Sequence, residues 1–275
     1  PWLAVARTSR ITSGALIRAA VPLSESAALE SGEAMLTNDT PVTWDGGKVR
    51  GRRVSRLGAI ELSSTPVRPD PVRARHVALE AVRSGGLDVA SLTKNGESLR
   101  RRLALAHRVF GDPWPDVSDE ALLACAEEWL DLDALAAGRG SDAASGLRGL
   151  LGWQESARLD EVAPETITVP SRSRIRVDYP EPGSDTSPVL AVKLQECFGW
   201  TDGPTVCDGR VRVVLHLLSP ARRPLAVTDD LASFWASVYP AVRVENRGRY
   251  SKHPWPEDPM TATPTKRTNR ALRGN

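Results

Sequence analysis

The stretch Arg247-Gly248-Arg249-Tyr250-Ser251-Lys252-His253-Pro254-Trp255-Pro256-Glu257-Asp258-Pro259 gathers four basic or imidazole side chains, two large aromatics and three prolines into thirteen positions. Proline fixes φ and lacks an N–H donor, so Pro254, Pro256 and Pro259 argue against regular helix or interior strand. The reading is an extended, semi-rigid strap that displays Arg247, Arg249, Tyr250, Lys252, His253 and Trp255 on a surface. Cations that contact phosphates, set beside rings that stack on unpaired bases, are the pairing that single-stranded nucleic acid requires. A plainer reading stands beside it, with Trp255 as a hydrophobic plug and Tyr250 as a core anchor.

Working outward, the flanking sequence alternates short strands with one helix. Residues 166–169, 174–179, 188–194 and 211–218 read as strands, with Pro/Gly/Asp clusters as turns. Asp229 or Asp230 caps a helix through Phe234, Trp235 and Val238. His216, inside an apolar strand, reads as a sheet-face or core histidine. Arg172, Arg174 and Arg176 alternate, which places three cations on one sheet face. The tail after about residue 260 has no apolar pattern and is expected to be disordered.

The first part is also β-rich. Residues 2–6 and 53–62 read as strands, residues 24–36 as a short helix capped at Ser24 or Ser26, and Asp45-Gly46-Gly47 as a hairpin turn. Lys48, Arg50 and Arg52 alternate there in the same way as the later arginines. A small OB-like barrel is the candidate architecture for residues 1–68. Residues 69–143 read as helical, and residues 144–275 as an α+β C-terminal domain, so the whole is α+β. In the helical part Leu99, Leu103 and Ala106 trace an apolar stripe, with Arg100, Arg101, Arg102 and Arg108 expected on the remaining surface. The glycine-rich residues 138–152 read as a flexible linker.

The net charge of +2 hides a strong asymmetry. Residues 48–108 carry fourteen Lys or Arg against five Asp or Glu, residues 112–165 three against thirteen, and residues 243–275 eight against three. Basic segments flanking an acidic one can present a cationic face to a polyanion, or the acidic segment can dock on a basic one. Cys125, Cys197 and Cys207 lack metal-ligand spacing, so no metal site is expected, and a Cys197–Cys207 bridge is the minor alternative to free thiols in a reducing cytoplasm. No apolar run is long enough to span a membrane. There is no GxxxxGK[ST], HExxH or GxSxG, so no catalytic residues and no cofactor site are expected within the chain. The chain opens at Pro1 and runs at once into a strand, which reads as a piece of something longer. Nothing in the sequence signals a homo-oligomer.

Several ordered motifs resemble one family. These are Trp114-Pro115-Asp116-Val117-Ser118-Asp119-Glu120-Ala121-Leu122-Leu123; Leu159-Asp160-Glu161-Val162-Ala163-Pro164 leading to Val169-Pro170-Ser171 and Asp178-Tyr179; Val189-Leu190-Ala191-Val192-Lys193-Leu194-Gln195-Glu196; Leu215-His216-Leu217-Leu218-Ser219-Pro220; and the strap itself. Together they resemble the C-terminal region of bacterial HrpB-type DExH-box ATP-dependent helicases. Three positions depart from that pattern: Arg172 and Arg222 stand where the family usually has glycine, and Ser251 where it usually has proline. The resemblance implies a parent with RecA-like ATPase domains that bind ATP and Mg and remodel RNA or DNA. In this chain it implies an accessory region that binds single-stranded RNA or DNA, or alternatively a module that docks on the parent's RecA-like core or another protein.

Overall fold

The structure, a computed structural model, describes residues 2–11, 14–140 and 142–273. Strands β1 (Trp2–Ile11) and β2 (Gly14–Leu23) form an antiparallel hairpin. Helix α1 (Glu25–Ser31) follows, opened by Ser24, whose Oγ accepts the Ala27 N–H at 3.2 Å. Next come β3 (Leu36–Asp39), β4 (Val42–Asp45), β5 (Lys48–Leu57) and β6 (Ile60–Val67). Both β3 and β4 pair along one edge of β5 and β6 along the other, so three long antiparallel runs make a meander. Gly46 and Gly47, at φ +58° and +78°, supply the two left-handed residues that a tight hairpin turn requires.

The middle of the chain is helical: α2 (Pro71–Gly85), α3 (Leu87–Ala90), α4 (Lys94–Phe110), α5 (Asp119–Ala124), α6 (Ala126–Trp129), α7 (Leu132–Ala136), α8 (Ala143–Gly149) and α9 (Trp153–Val162). Five of these helices open on a side chain that satisfies an orphan amide, whereas α9 follows Gly152 with no side-chain cap. Asp70, Thr93, Ser118, Asp131 and Asp142 all accept an N–H three residues on. Pro71 sits in the first turn of α2, where its missing N–H has no intrahelical partner to lose.

The last part holds β7 (Thr166–Thr168), β8 (Arg174–Asp178), β9 (Val189–Lys193), a 3-10 turn at Leu194–Cys197, β10 (Thr205–Val206), β11 (Val211–Arg212), β12 (Val214–Leu218) and β13 (Pro224–Thr228). Five of them form one sheet in the order β13-β12-β9-β8-β7, with only the β9–β12 pair parallel. A continuous helical run follows: α10 (Leu231–Ser233), a π-helical turn at Phe234–Val238 and α11 (Tyr239–Arg249). Asp230 opens it by accepting the Ser233 N–H at 2.9 Å. The short α12 (Asn269–Arg273) ends the described chain.

The chain folds as two compact units, one from Pro1–Ala90 and Asp131–Ser141, the other from Ser91–Leu130 and Asp142–Asn275. The helices of residues 69–143 are therefore shared: α2, α3 and α7 belong to the first unit and α4, α5 and α6 to the second. In the first unit α2 packs on α7, β4 and β5, burying Ala78, Val82, Leu135, Val49 and Val54. In the second, Leu190 and Val192 of β9 and Leu215 and Leu217 of β12 point to one buried sheet face. Burying such a leucine or valine contributes roughly 1.5–3 kcal/mol. His216 takes the opposite, half-buried face of β12.

Several expectations change. No pairing among the described residues closes residues 1–68 into an OB-like barrel: β1 and β2 pair with each other, and β3 to β6 make a separate sheet. Closure would need the hairpin to share hydrogen bonds with that sheet and turn its apolar side chains inward. Instead Leu3, Val5, Leu16, Ile17 and Val21 of the hairpin are exposed. The strap begins at Tyr250, because Arg247, Gly248 and Arg249 form the last turn of α11. Pro254 lies five positions beyond Arg249 and restricts only itself and His253. The glycine-rich stretch contains a capped helix, α8. The segment after Pro259 is held in place: the buried Thr265 donates its N–H to the Gln195 carbonyl at 2.8 Å, and the Asn269 N–H reaches Lys252 O at 2.8 Å. Backbone hydrogen bonds do there what the missing apolar pattern does not. The three cysteines are free thiols, with Cys197 and Cys207 buried.

Candidate nucleic-acid interface

Lys48, Arg50 and Arg52 occupy the exposed face of β5, while Val49 and Gly51 between them are buried. Two of the three are engaged. Arg50 Nε meets Asp45 at 2.7 Å across the hairpin turn, and Arg52 donates to the Ser64 hydroxyl at 2.6 Å and the Ser64 carbonyl at 3.2 Å. Only the Lys48 ammonium, of these three side chains, has no ion-pair or hydrogen-bond partner among the described residues. All three belong to the first unit; every other candidate lies in the second.

Arg174 and Arg176 lie exposed on one face of β8, opposite Thr168 and Thr166 of β7. Arg174 Nε reaches the Thr166 hydroxyl at 3.2 Å. Arg172 is not on the strand but in the preceding turn, at φ +65°. That left-handed backbone is why the related pattern has glycine there. Arg222, the other departure, has φ +60° for the same reason. Arg176 also lines a cleft of about 350 Å3 with Lys94 and Arg101. Lys94, which the sequence pattern did not single out, has no charge partner among the described residues. Its location at the start of α4 was the signal available.

Arg247 and Arg249 are exposed in the last turn of α11, where cations complement the helix dipole. The Arg249 guanidinium lies 5.8 Å from the centre of the Tyr250 ring. Beyond it the strap folds back on α11. Tyr239 donates its hydroxyl to Pro256 O at 2.8 Å, and Arg243 Nε donates to Trp255 O at 2.9 Å. Trp255 is half-buried, and its indole N–H goes to Tyr250 O at 3.2 Å. This is the plug geometry rather than that of a free stacking platform. Lys252 is exposed, and its ammonium has no partner among the described residues.

His253 is half-buried. Burial, with Lys193 nearby, holds its imidazole below the ordinary histidine value. The neutral ring is therefore favoured in the fold. The stability this lends the strap is present above about pH 6.5 and is lost as pH falls from there toward the depressed folded value. The His253 N–H, bonded to Tyr250 O at 2.9 Å, should exchange faster at pH 5 than at pH 7 after correction for intrinsic rates. His253→Gln should remove that difference, and an unchanged difference would refute the assignment.

The charge asymmetry is partly consumed inside the fold. Arg102, 1% exposed, donates to Ala163 O, to Asp160 and to Glu165, the last at 3.1 Å. Arg100, also buried, donates to Val117 O at 2.9 Å and to Asp119. Arg101 pairs with Asp178 and Glu181, and Arg75 with Asp133. Arg100 and Arg102, expected on the surface of α4, are thus partners of the acidic middle, while Arg101 and Arg108 bond to residues 178–186. Position 102 follows Leu99 by three and precedes Ala106 by four, so the helical period itself places it on the buried stripe. Among the described residues no cluster of His, Cys, Asp or Glu is arranged to hold a metal ion, and no helix is long and apolar enough to cross a membrane.

With this geometry in hand, residues 126–259 match the model of the HrpB ATP-dependent helicase C-terminal family. Residues 126–259 belong to the HrpB-type helicase C-terminal family. The chain is 40% identical over 238 residues to the ATP-dependent RNA helicase HrpB of Escherichia coli K12, covering 83% of this chain and 29% of that protein. Two solved structures are similar as well. A crystal structure of the E. coli DExH-box NTPase HrpB superposes at TM-score 0.67 with 36% identity, over 97% of this chain and 34% of that one. A crystal structure of the E. coli DEAH/RHA helicase HrpB does so at 0.59 with 38% identity, over 80% and 29%. The chain therefore spans about a third of the length of these relatives. The five-stranded sheet and the strap through Pro259 lie within the matched family region.

Proposed function

We propose that this chain is an accessory region of an ATP-dependent RNA helicase and contributes single-stranded RNA or DNA binding to it. The observation that carries the reading is which cations the fold leaves over. Arg75, Arg100, Arg101, Arg102, Arg158 and Arg243 each contact a carboxylate of the same unit. Lys94, Arg172, Arg176, Arg247 and Lys252 contact none among the described residues, and all lie in the unit that carries the family match. Unpaired, exposed cations of one sign repel one another unless a polyanion neutralises them. The reading places ATP and Mg in a RecA-like core outside this chain, because the sequence has no GxxxxGK[ST] with which to cradle a phosphate.

Fluorescence anisotropy of a labelled oligouridylate across a salt series tests it. Log affinity should fall linearly with log salt, by roughly 0.7 per phosphate contacted. Arg176→Ala, Lys252→Ala and Lys94→Ala should each make the slope shallower by about one contact. Unchanged slopes in all three variants, or no binding at low salt, would overturn the proposal.

A second reading, a module that docks on the RecA-like core or another protein, is supported by the β1–β2 hairpin. Val21 is 63% and Leu3 53% exposed there, and an isolated two-stranded hairpin is marginal without cover. It predicts a complex with separately expressed core that Leu3→Lys with Val21→Lys abolishes while RNA binding persists.

A further inference from the structure

The helix that begins at Leu231 and the strap enclose an apolar cleft of about 400 Å3 that none of the candidate cations lines. Ala232, Trp235 and Ala236 form its helix side, and Pro259 and Met260 its strap side. The aromatic wall is fixed. Trp235 donates its indole N–H to Trp200 O at 2.7 Å, and its ring lies edge-on to Phe234 at 5.0 Å and Tyr239 at 5.4 Å. The strap side is fixed too, because the Gly199 N–H donates to Pro259 O at 3.0 Å. Ala232 and Ala236, four apart and exposed, keep the cleft open on either side of the indole. Trp235 and Ala236 belong to the π-helical turn, a local irregularity frequent at functional sites.

The cleft continues past Thr201 and Ala232, which also line a second cleft of about 280 Å3. That second part presents Asp202, Asp229 and Asp230 against a single guanidinium, Arg212. Glu257 and Asp258 stand on the rim of the apolar part. Asp230 caps its helix, Asp258 accepts the Met260 N–H, and Glu257 pairs with Arg243. The carboxylates of Asp202 and Asp229 are exposed and have no partner among the described residues. Five carboxylates against Arg212 and the Arg243 that Glu257 engages leave a net negative charge, which repels a phosphate backbone and attracts a cation. The volume suits one large side chain and its neighbours.

We propose that this groove binds an extended peptide segment of a partner protein that carries Arg or Lys beside an aliphatic or aromatic residue. The apolar side chain lies against Trp235 between Ala232 and Ala236, and the cation reaches Asp202 and Asp229. The proposal does not depend on the nucleic-acid reading, since it uses the face of the same unit with the opposite charge.

The test is anisotropy of a labelled peptide, Arg-Lys-Leu-Arg-Leu-Lys-Gly, with the full 275-residue chain, beside its charge-reversed counterpart Glu-Asp-Leu-Glu-Leu-Asp-Gly. The basic peptide is expected to bind. Ala236→Arg, which fills the cleft with a cation, and the pair Asp202→Asn with Asp229→Asn should each weaken it about tenfold. All three positions are exposed, so folding should be retained. The charge-reversed peptide should not bind, and oligouridylate should not compete. Equal binding by either variant, equal binding of the charge-reversed peptide, competition by the RNA, or no binding of the basic peptide would each overturn it.

Discussion

Replacing Arg102 with alanine is expected to cost about 3–5 kcal/mol of stability, the range for breaking a buried ion pair. The side chain is 1% exposed, so its whole stem is packing volume, and removing it leaves a cavity. Ala163, itself fully buried, loses the donor to its carbonyl, and an unsatisfied buried acceptor costs roughly 1–3 kcal/mol. Asp160 and Glu165 remain largely in water, with side chains 79% and 63% exposed. They rehydrate at little cost, which argues for the lower half of the range. Arg102→Lys should recover little, because one ammonium cannot serve three acceptors in the planar arrangement of a guanidinium. The reverse operation is as informative. Asp160→Asn with Glu165→Gln leaves a buried cation bonded chiefly to a carbonyl, and should destabilise by a similar amount. Urea unfolding followed by tryptophan fluorescence would measure this, since six of the eight tryptophans lie in the second unit. A loss under about 1 kcal/mol for Arg102→Ala would show that the clamp does not hold α4 against residues 160–165.

How much of this was legible in sequence depended on how local the cause was. The Asp-Gly turn after Trp44, the Ser24 cap and the Asp230 cap are each set within four residues, and each stands where its signal placed it. The two arginines that depart from the related pattern, Arg172 and Arg222, both mark left-handed turns, so a substitution pattern carried backbone geometry. Long-range partners were not legible. Arg100 and Arg102 read as solvated cations because their carboxylates lie 19 and 58–63 positions away. The missing barrel has the same origin. Strand propensity identified residues 2–6 as β, while pairing partners are a property of the whole sheet. At the candidate site, residue types were legible but competition was not. Arg50 and Arg52 turned out to be engaged by Asp45 and Ser64, and Trp255 by the strap's own backbone. The acidic groove beside Trp235 was invisible because Asp202, Asp229 and Glu257 are joined only by the fold.

Gly146→Ala should be at least as damaging as the loss of Arg102, although it adds a single methyl group. Gly146 sits inside α8, where alanine is ordinarily the better helix former by roughly 1 kcal/mol. Propensity alone therefore predicts stabilisation. The packing says otherwise, because a Cβ built at Gly146 would lie 1.7 Å from the Trp129 carbonyl oxygen and 2.8 Å from its carbon. These are backbone atoms, so no rotamer change can relieve the clash. Trp129 is buried and cannot retreat easily, as its indole N–H is bonded to Leu122 O at 2.9 Å. The α8 and α6 backbones would have to separate. Overpacking a tight site costs roughly 1–3 kcal/mol when side chains can adjust, and more when the backbone must move. The expected loss is about 4 kcal/mol or more, which for a unit of this size corresponds to a fall of roughly 8–16 °C in Tm. Gly149→Ala is the matched control, since a Cβ there meets nothing within 4 Å. It should be neutral to stabilising. If Gly146→Ala melts at or above the parent temperature while Gly149→Ala behaves the same way, the close approach of α8 to Trp129 is not present in solution. Residues 138–152 would then be the linker that their glycines suggest.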